Sequence, residues 1–236
     1  MNITELKDYR HLYLAAFAST VLMLIIIPLQ IVVFALTKIP ADTVAWFELF
    51  DKSAVLGLFH ADFFILVDNI LIAVIYLAFY HTLKPVNKGI IQIGVLLGFI
   101  GIAAYISSNK TFELLALSRQ YSAALGETEK LALLGAGKAL LLGWQGTAFD
   151  AYYVLNGIAL FCISGLMFKS GFYNKTTAVW GLLAAIFMII PSTAGTIGLV
   201  FSLLSLIPWY VFGIRFASVF AGIWKACGNA ADRVIA

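Results

Sequence analysis

The run "IIQIGVLLGFIGIAAYISSNKTFELLALSRQY", Ile90 to Tyr121, joins two kinds of helix without a proline between them. Residues 90–106 are apolar apart from Gln92, close to the run of about 20 mostly apolar residues that crosses a bilayer. From Asn109 the pattern changes. Leu114, Leu117, Tyr121 and Leu125 recur at helical spacing, while Glu113, Arg119 and Gln120 lie off that stripe,. The first half reads as a membrane span and the second as an amphipathic helix over the span ends. Asn109 can cap that helix, and Gly126 is a natural stop. Thr128 can cap a second helix, with Glu127 and Glu129 near its positive end. "TEKLALLGAGKALLLGWQG", residues 128–146, then reaches the next apolar run without a proline. A helical hairpin at 109–145 is therefore expected between the third and fourth spans. It either covers the bundle with its charges in water or acts as a lid that turns Glu113, Gln120 or Arg119 inward.

Working outward, 62% of the 236 residues are hydrophobic and 11% are charged, against about 45–50% and about 25% in soluble domains. That excess implies a surface facing lipid. Six runs are long enough to read as spans: 12–36, 57–80, 89–107, 146–168, 176–192 and 197–220,. The expected fold is all-α, a six-transmembrane-helix bundle forming one integral membrane domain over 1–236. Leu12 to Leu36 is too long for the apolar core of a signal peptide and lacks an A-x-A-like exit, so it is expected to remain as the first span,. Residues 42–56, opening with Asp42 as a possible N-cap and carrying Trp46, Phe47 and Phe50, are expected to lie along the outer interface,.

The net charge is +3 and no basic run suggests nucleic acid,. Six spans put both termini on one side. That side carries Lys7, Arg10, Lys84, Lys88, Lys169, Lys175, Arg215, Lys225 and Arg233 against Glu5, Asp8 and Asp232. On the other side the six Lys and Arg are balanced by six acids, so the termini are expected in the cytoplasm of a bacterial or archaeal plasma membrane,. Cys162 and Cys227 form no CxxC pair,.

The phrases "SNKTFELLALSRQYSAAL" (108–125), "LLGAGKALLLGWQGTAFDAYYVL" (133–155) and "ISGLMFKSGFYNKTTAVWGLLA" (163–184) carry a resemblance. In them the chain resembles the bacterial membrane family known as domain of unknown function 4386, best over 55–200. The resemblance implies a six-span protein and brings no reaction with it. By motif match it points to Asn109, Phe112, Glu113, Ser118, Tyr121, Gly146, Thr147 and Phe149. Similar proteins often have a histidine after the G-T-x-F phrase, where this chain has Asp150. The resemblance therefore implies no metal ligand or histidine base there.

Ionisable residues inside spans are costly, about 2.5–3.5 kcal/mol or more at the centre, and call for a partner or a role. The candidates are Gln30 in the first span, His60, Asp62, Asp68 and Asn69 in the second, and Asp150, Tyr153 and Asn156 in the fourth. By depth they gather in the outer half beneath the hairpin, which adds Glu113 and Arg119,. Asp62 and Asn69, seven apart, share a helix face. For Asp68 and Asp150 the alternative is a local pair that serves only packing. No H-E-x-x-H is present, and His11, His60 and His81 are split between the two ends of the bundle, so no metal site and no cofactor is expected,. Three functions remain open. One is binding or transport of a small polar molecule or lipid head group in an outward-facing polar pocket. A second is an intramembrane lipid-modifying enzyme with His60 as base beside Asp62 or Asp150. The third is a non-catalytic subunit of a larger membrane assembly.

Overall fold

The computed structural model describes residues 7–235; residues 1–6, and with them Glu5 of the charge balance, and Ala236 lie outside them. Among the described residues the chain is all helix and turn, without a strand. A short 3₁₀ turn at Lys7–Tyr9 leads into α1 (Arg10–Leu36). There follow α2 (Thr43–Lys52), α3 (Ala54–His60), α4 (Phe63–Leu83), α5 (Lys88–Ser108), α6 (Thr111–Ala123), α7 (Glu127–Trp144), α8 (Thr147–Met167), α9 (Lys175–Met188) and α10 (Gly195–Ile235).

Five stretches are long and apolar enough to cross a membrane: Arg10–Leu36, Phe63–Leu83, Lys88–Ala123, Glu127–Met167 and Gly195–Asn229. The fifth expected span is shorter. Helix α9 has 14 residues, about 21 Å at 1.5 Å per residue. It nevertheless takes a place in a closed ring, packing on α8 and α10, with the order α1, α4, α5, α8, α9, α10 and back to α1.

The ring is held by close approaches and shared polar groups. Gly94, Gly98 and Gly101 line one side of α5, and a Cβ at any of them would lie less than 3.0 Å from a neighbouring side chain: Cys162, Tyr76 and Asn156 respectively. Helix α1 contains Pro28, whose missing N–H leaves the Leu24 carbonyl without its intrahelical donor,. The Tyr210 hydroxyl of α10 fills that role, donating to Leu24 O at 3.1 Å. An unsatisfied backbone group in lipid costs several kcal/mol, so this bond helps explain why α1 tolerates its proline.

The remaining helices form a cap on one end of the ring. Helix α6 packs against α2, α3 and α7, and α7 also touches α8. Where the hairpin is expected there are two helices packed on each other, with breaks at 109–110 and 145–146. Gly126 rather than Thr128 is the N-cap of the second arm. Asp42 does cap α2, accepting from Ala45 N at 2.9 Å. The segment 42–56 differs from its expectation. Ser53 breaks it into two helices by accepting from Leu56 N at 3.3 Å, and Trp46, Phe47 and Phe50 are buried against protein rather than laid on an interface.

Two apolar clusters result. The ring core holds Met23, Ile75, Phe79, Ile163, Phe212 and Phe216 among others. The cap core holds Trp46, Phe47, Phe50, Ala61, Tyr105, Leu114, Trp144, Phe149 and Tyr152.

Candidate functional site

Between the two cores lies a cavity of about 590 Å³. Trp46, Tyr105, Trp144, Phe149 and Tyr152 of the cap core form its roof, and Ile27, Ile72, Tyr76, Leu160 and Ala184 of the ring core form its floor. Gln30, His60, Asp62, Asp68, Tyr153 and Asn156 also line it.

The expected second span, 57–80, breaks at Ala61–Asp62. Asp62 has φ +64°, a left-handed conformation that Asp tolerates better than most residues. His60 therefore ends a separate cap helix, and Asp62 precedes α4 instead of sharing a face with Asn69. The break is fastened from the opening stretch of the hairpin. Asn109 Nδ2 donates to the Ala61 carbonyl at 3.2 Å, and the Thr111 hydroxyl donates to the same oxygen. Asn109 Oδ1 also accepts from Thr111 N at 3.1 Å. Burial raises the Asp62 carboxyl to about 7, with the Tyr105 hydroxyl beside it opposing that rise,.

His60 is tied to α1. Thr37 Oγ1 donates its single proton to Val33 O at 2.8 Å, so the 2.5 Å contact between Thr37 Oγ1 and His60 Nε2 uses the ring N–H as donor,. Burial pulls the imidazole below its ordinary value near 6.5,. The neutral ring then carries its lone pair on Nδ1, which has no partner. Gln30 Nε2 donates to Phe59 O at 3.1 Å, which fixes the amide and leaves Oε1 as the free acceptor.

Asp68 is 5% exposed, and its Oδ1 has no hydrogen-bond partner. Among the described residues the one ion pair joins Glu127 and Lys130 at 3.7 Å on the hairpin surface, so no cation answers Asp68. On the floor, Tyr76 donates to Asn156 Oδ1 at 2.7 Å, fully buried. Gly98 gives room to the Tyr76 ring and Gly101 to the Asn156 amide. Tyr153 shares a 3.2 Å hydrogen bond with Ser202, another lining residue.

Four expected site residues stand elsewhere. Asp150 is in the first turn of α8, where a carboxylate suits the helix dipole,. It accepts from the Thr193 hydroxyl in the α9–α10 connection and does not line the cavity. Asn69 is fully buried outside it, donating to Ile65 O at 2.9 Å. Glu113 and Arg119 are exposed on the outer face of α6 because Leu114 and Ser118 take the inward positions. Of the two hairpin pictures, the cover with its charges in water matches this geometry. The lid reading fails because the charged side chains occupy the helix face opposite the one that packs.

Residues that sequence reasoning passed over are Tyr76, Tyr105, Trp144 and Tyr152, since a membrane aromatic ordinarily reads as packing or an interfacial anchor. Four of the eight buried polar atoms without a partner belong to the lining and face no polar neighbour already described: Gln30 Oε1, His60 Nδ1, Asp68 Oδ1 and Trp144 Nε1. Buried polar groups are nearly always satisfied, and four of the exceptions gather around this one cavity. Among the described residues no three His, Cys, Asp or Glu side chains gather around one point as metal ligands.

Ring, cap and the recess between them define a polytopic helical membrane protein with an internal cavity, mostly apolar and set with a few polar groups. The family model described as domain of unknown function 4386 matches residues 11–224, and the chain belongs to that family. No curated protein and no solved structure matches it.

Proposed function

We propose that this chain binds a small polar molecule or a lipid head group in the recess between ring and cap. The observation that carries the reading is the set of four unpartnered buried polar atoms around one cavity. Leaving one such group unsatisfied costs about 1–3 kcal/mol, and a bound ligand removes that cost. The cavity's size lies within the range of about 300–1,000 Å³ usual for small-molecule sites,.

In this reading all six ring helices span the bilayer, and α9 is completed by Ile189–Ser192. The lysine-rich connections at 84–88 and 169–175 lie in the cytoplasm with both termini, and the cap faces outward from a bacterial plasma membrane,. The enzyme reading is less well supported. Its His60 base calls for a carboxylate partner, whereas the ring N–H is engaged by Thr37.

Native mass spectrometry of the purified protein tests the proposal. One retained small molecule or lipid per chain is expected, lost from Asp68→Asn. A bare chain that no added polar compound or lipid stabilises against heat refutes it.

A further inference from the structure

The recess is not neutral in its chemistry. Its lining includes two carboxyls, Asp62 and Asp68, and neither a lysine nor an arginine. The three free acceptors, Gln30 Oε1, His60 Nδ1 and Asp68 Oδ1, each belong to a residue less than one-tenth exposed. Two of them are locked in that role, one by the Gln30–Phe59 bond and the other by the Thr37–His60 contact. The walls are aromatic, with Trp46 and Trp144 packed edge-on at 5.7 Å between centroids and Tyr105 4.9 Å from Tyr152.

We infer that the recess, taken as the binding site proposed above, is built for an organic ammonium group. An ammonium donates up to three hydrogen bonds and accepts none, which suits an acceptor-rich lining. A quaternary ammonium, without N–H, is held by aromatic faces and a carboxylate, and such cation–π contacts strengthen when desolvated. An anionic ligand finds no counter-charge there and faces Asp68 instead. A neutral ligand can donate a hydrogen bond to Asp68 but leaves the charge of a buried carboxylate uncompensated, the costliest feature of the site.

The same chemistry reaches a membrane protein from two sources. One is a free amine in solution. The other is a lipid head group, for which the structure has an avenue: Ile31 of α1 and Leu199 and Leu203 of α10 line the cavity and are themselves exposed on the flank of the ring. The recess therefore opens sideways between α1 and α10 as well as lying under the cap.

The test compares charge at constant shape. Thermal stabilisation is titrated with choline, with its neutral isostere 3,3-dimethylbutanol, with ethanolamine and with acetate. A second arm measures lipid retained in nanodiscs of phosphatidylethanolamine or phosphatidylcholine against phosphatidylglycerol. Stabilisation by an ammonium probe, or preferential retention of an ammonium lipid, is expected, and the two arms separate the free amine from the head group. In the free-amine case choline binds at least about tenfold more tightly than its isostere. Asp68→Asn erases that difference, the loss typical when one charge of a close pair is removed. In the head-group case the same substitution erases the preference over phosphatidylglycerol. Equal binding of choline and the isostere, together with no preference among lipids, overturns the ammonium assignment and leaves the recess as a site for another polar ligand. No stabilisation by any probe and no retained lipid overturns both. Because the isostere pair is compared in the unaltered protein, the result stands even if Asp68→Asn misfolds.

Discussion

Gly98→Ala is the sharpest probe of how ring and cavity floor depend on each other. Its Cβ would lie less than 3.0 Å from Cε2 and Cδ2 of Tyr76, so the ring must move. Overpacking of this kind costs about 1–3 kcal/mol. Moving the ring also strains or breaks the 2.7 Å bond to Asn156, another 1–3 kcal/mol or so when a buried acceptor is left alone. Against these, alanine in a helix gains about 0.5–1 kcal/mol over glycine. The net loss is about 1–5 kcal/mol. Tyr76→Ala removes the obstacle at its own cost of about 3–5 kcal/mol. In that background the same Gly98→Ala change has only the helix preference left, and should stabilise by about 0.5–1 kcal/mol. The sign therefore reverses, and the double-mutant cycle gives a coupling of at least about 1.5 kcal/mol. Thermal melts followed by tryptophan fluorescence in one detergent read all four proteins. If Gly98→Ala destabilises equally with and without the tyrosine, Gly98 does not make room for Tyr76 and the account of the floor is wrong.

Other outcomes follow from single contacts. Tyr210→Phe removes the donor to the Leu24 carbonyl beside Pro28 and should lower stability by about 1–3 kcal/mol, seen as a lower melting temperature,; an unchanged melt rejects the role given to that bond. His60 has its pKa lowered in the fold, so its contribution is whole above its ordinary value near 6.5 and is lost as pH falls below it,. The melting temperature of the native protein should drop through that window, and the drop should be smaller in His60→Gln. Asp62→Gly keeps the left-handed turn and should be tolerated, whereas Asp62→Val should cost about 1–2 kcal/mol more in the same melt,. Asp150→Asn weakens the tie to Thr193 and removes the favourable charge at the start of α8, both outside the cavity, so ligand retention in native mass spectra should be unaltered.

Five spanning stretches were legible because hydropathy alone sets them, and the two helices after Ser108 were legible because polar residues return there at helical spacing. The break at Ala61–Asp62 was not. "HADFF" holds neither glycine nor proline, and the bonds that stabilise the turn come from Asn109 and Thr111, about fifty residues away. Depth along a helix placed Gln30, His60, Asp62, Asp68, Tyr153 and Asn156 near one level, and all six line the cavity. It could not say which way each pointed, and Asp150 and Asn69 fell outside for that reason. Glu113 and Arg119, for which cover and lid were both open, lie on the exposed face because the inward stripe of α6 is complete without them. The glycines of α5 do not themselves say what they make room for. The partners that fill the space they leave, Tyr76 and Asn156, lie on two other helices that no local pattern connects.

The two apolar clusters have no residue in common, and this bears on handling the protein outside its native bilayer. The ring presents an apolar flank, with Leu22, Ile25, Leu96 and Ile207 exposed, and needs a hydrocarbon coat to stay closed. The cap is made of helices of 7 to 18 residues and keeps its shape through aromatic packing on the tops of α5 and α8. A solubilising agent gentle to one layer is not thereby gentle to the other. A preparation with full helical content can already have lost the packing of its cap, and helicity alone is a poor measure of whether the recess has survived extraction.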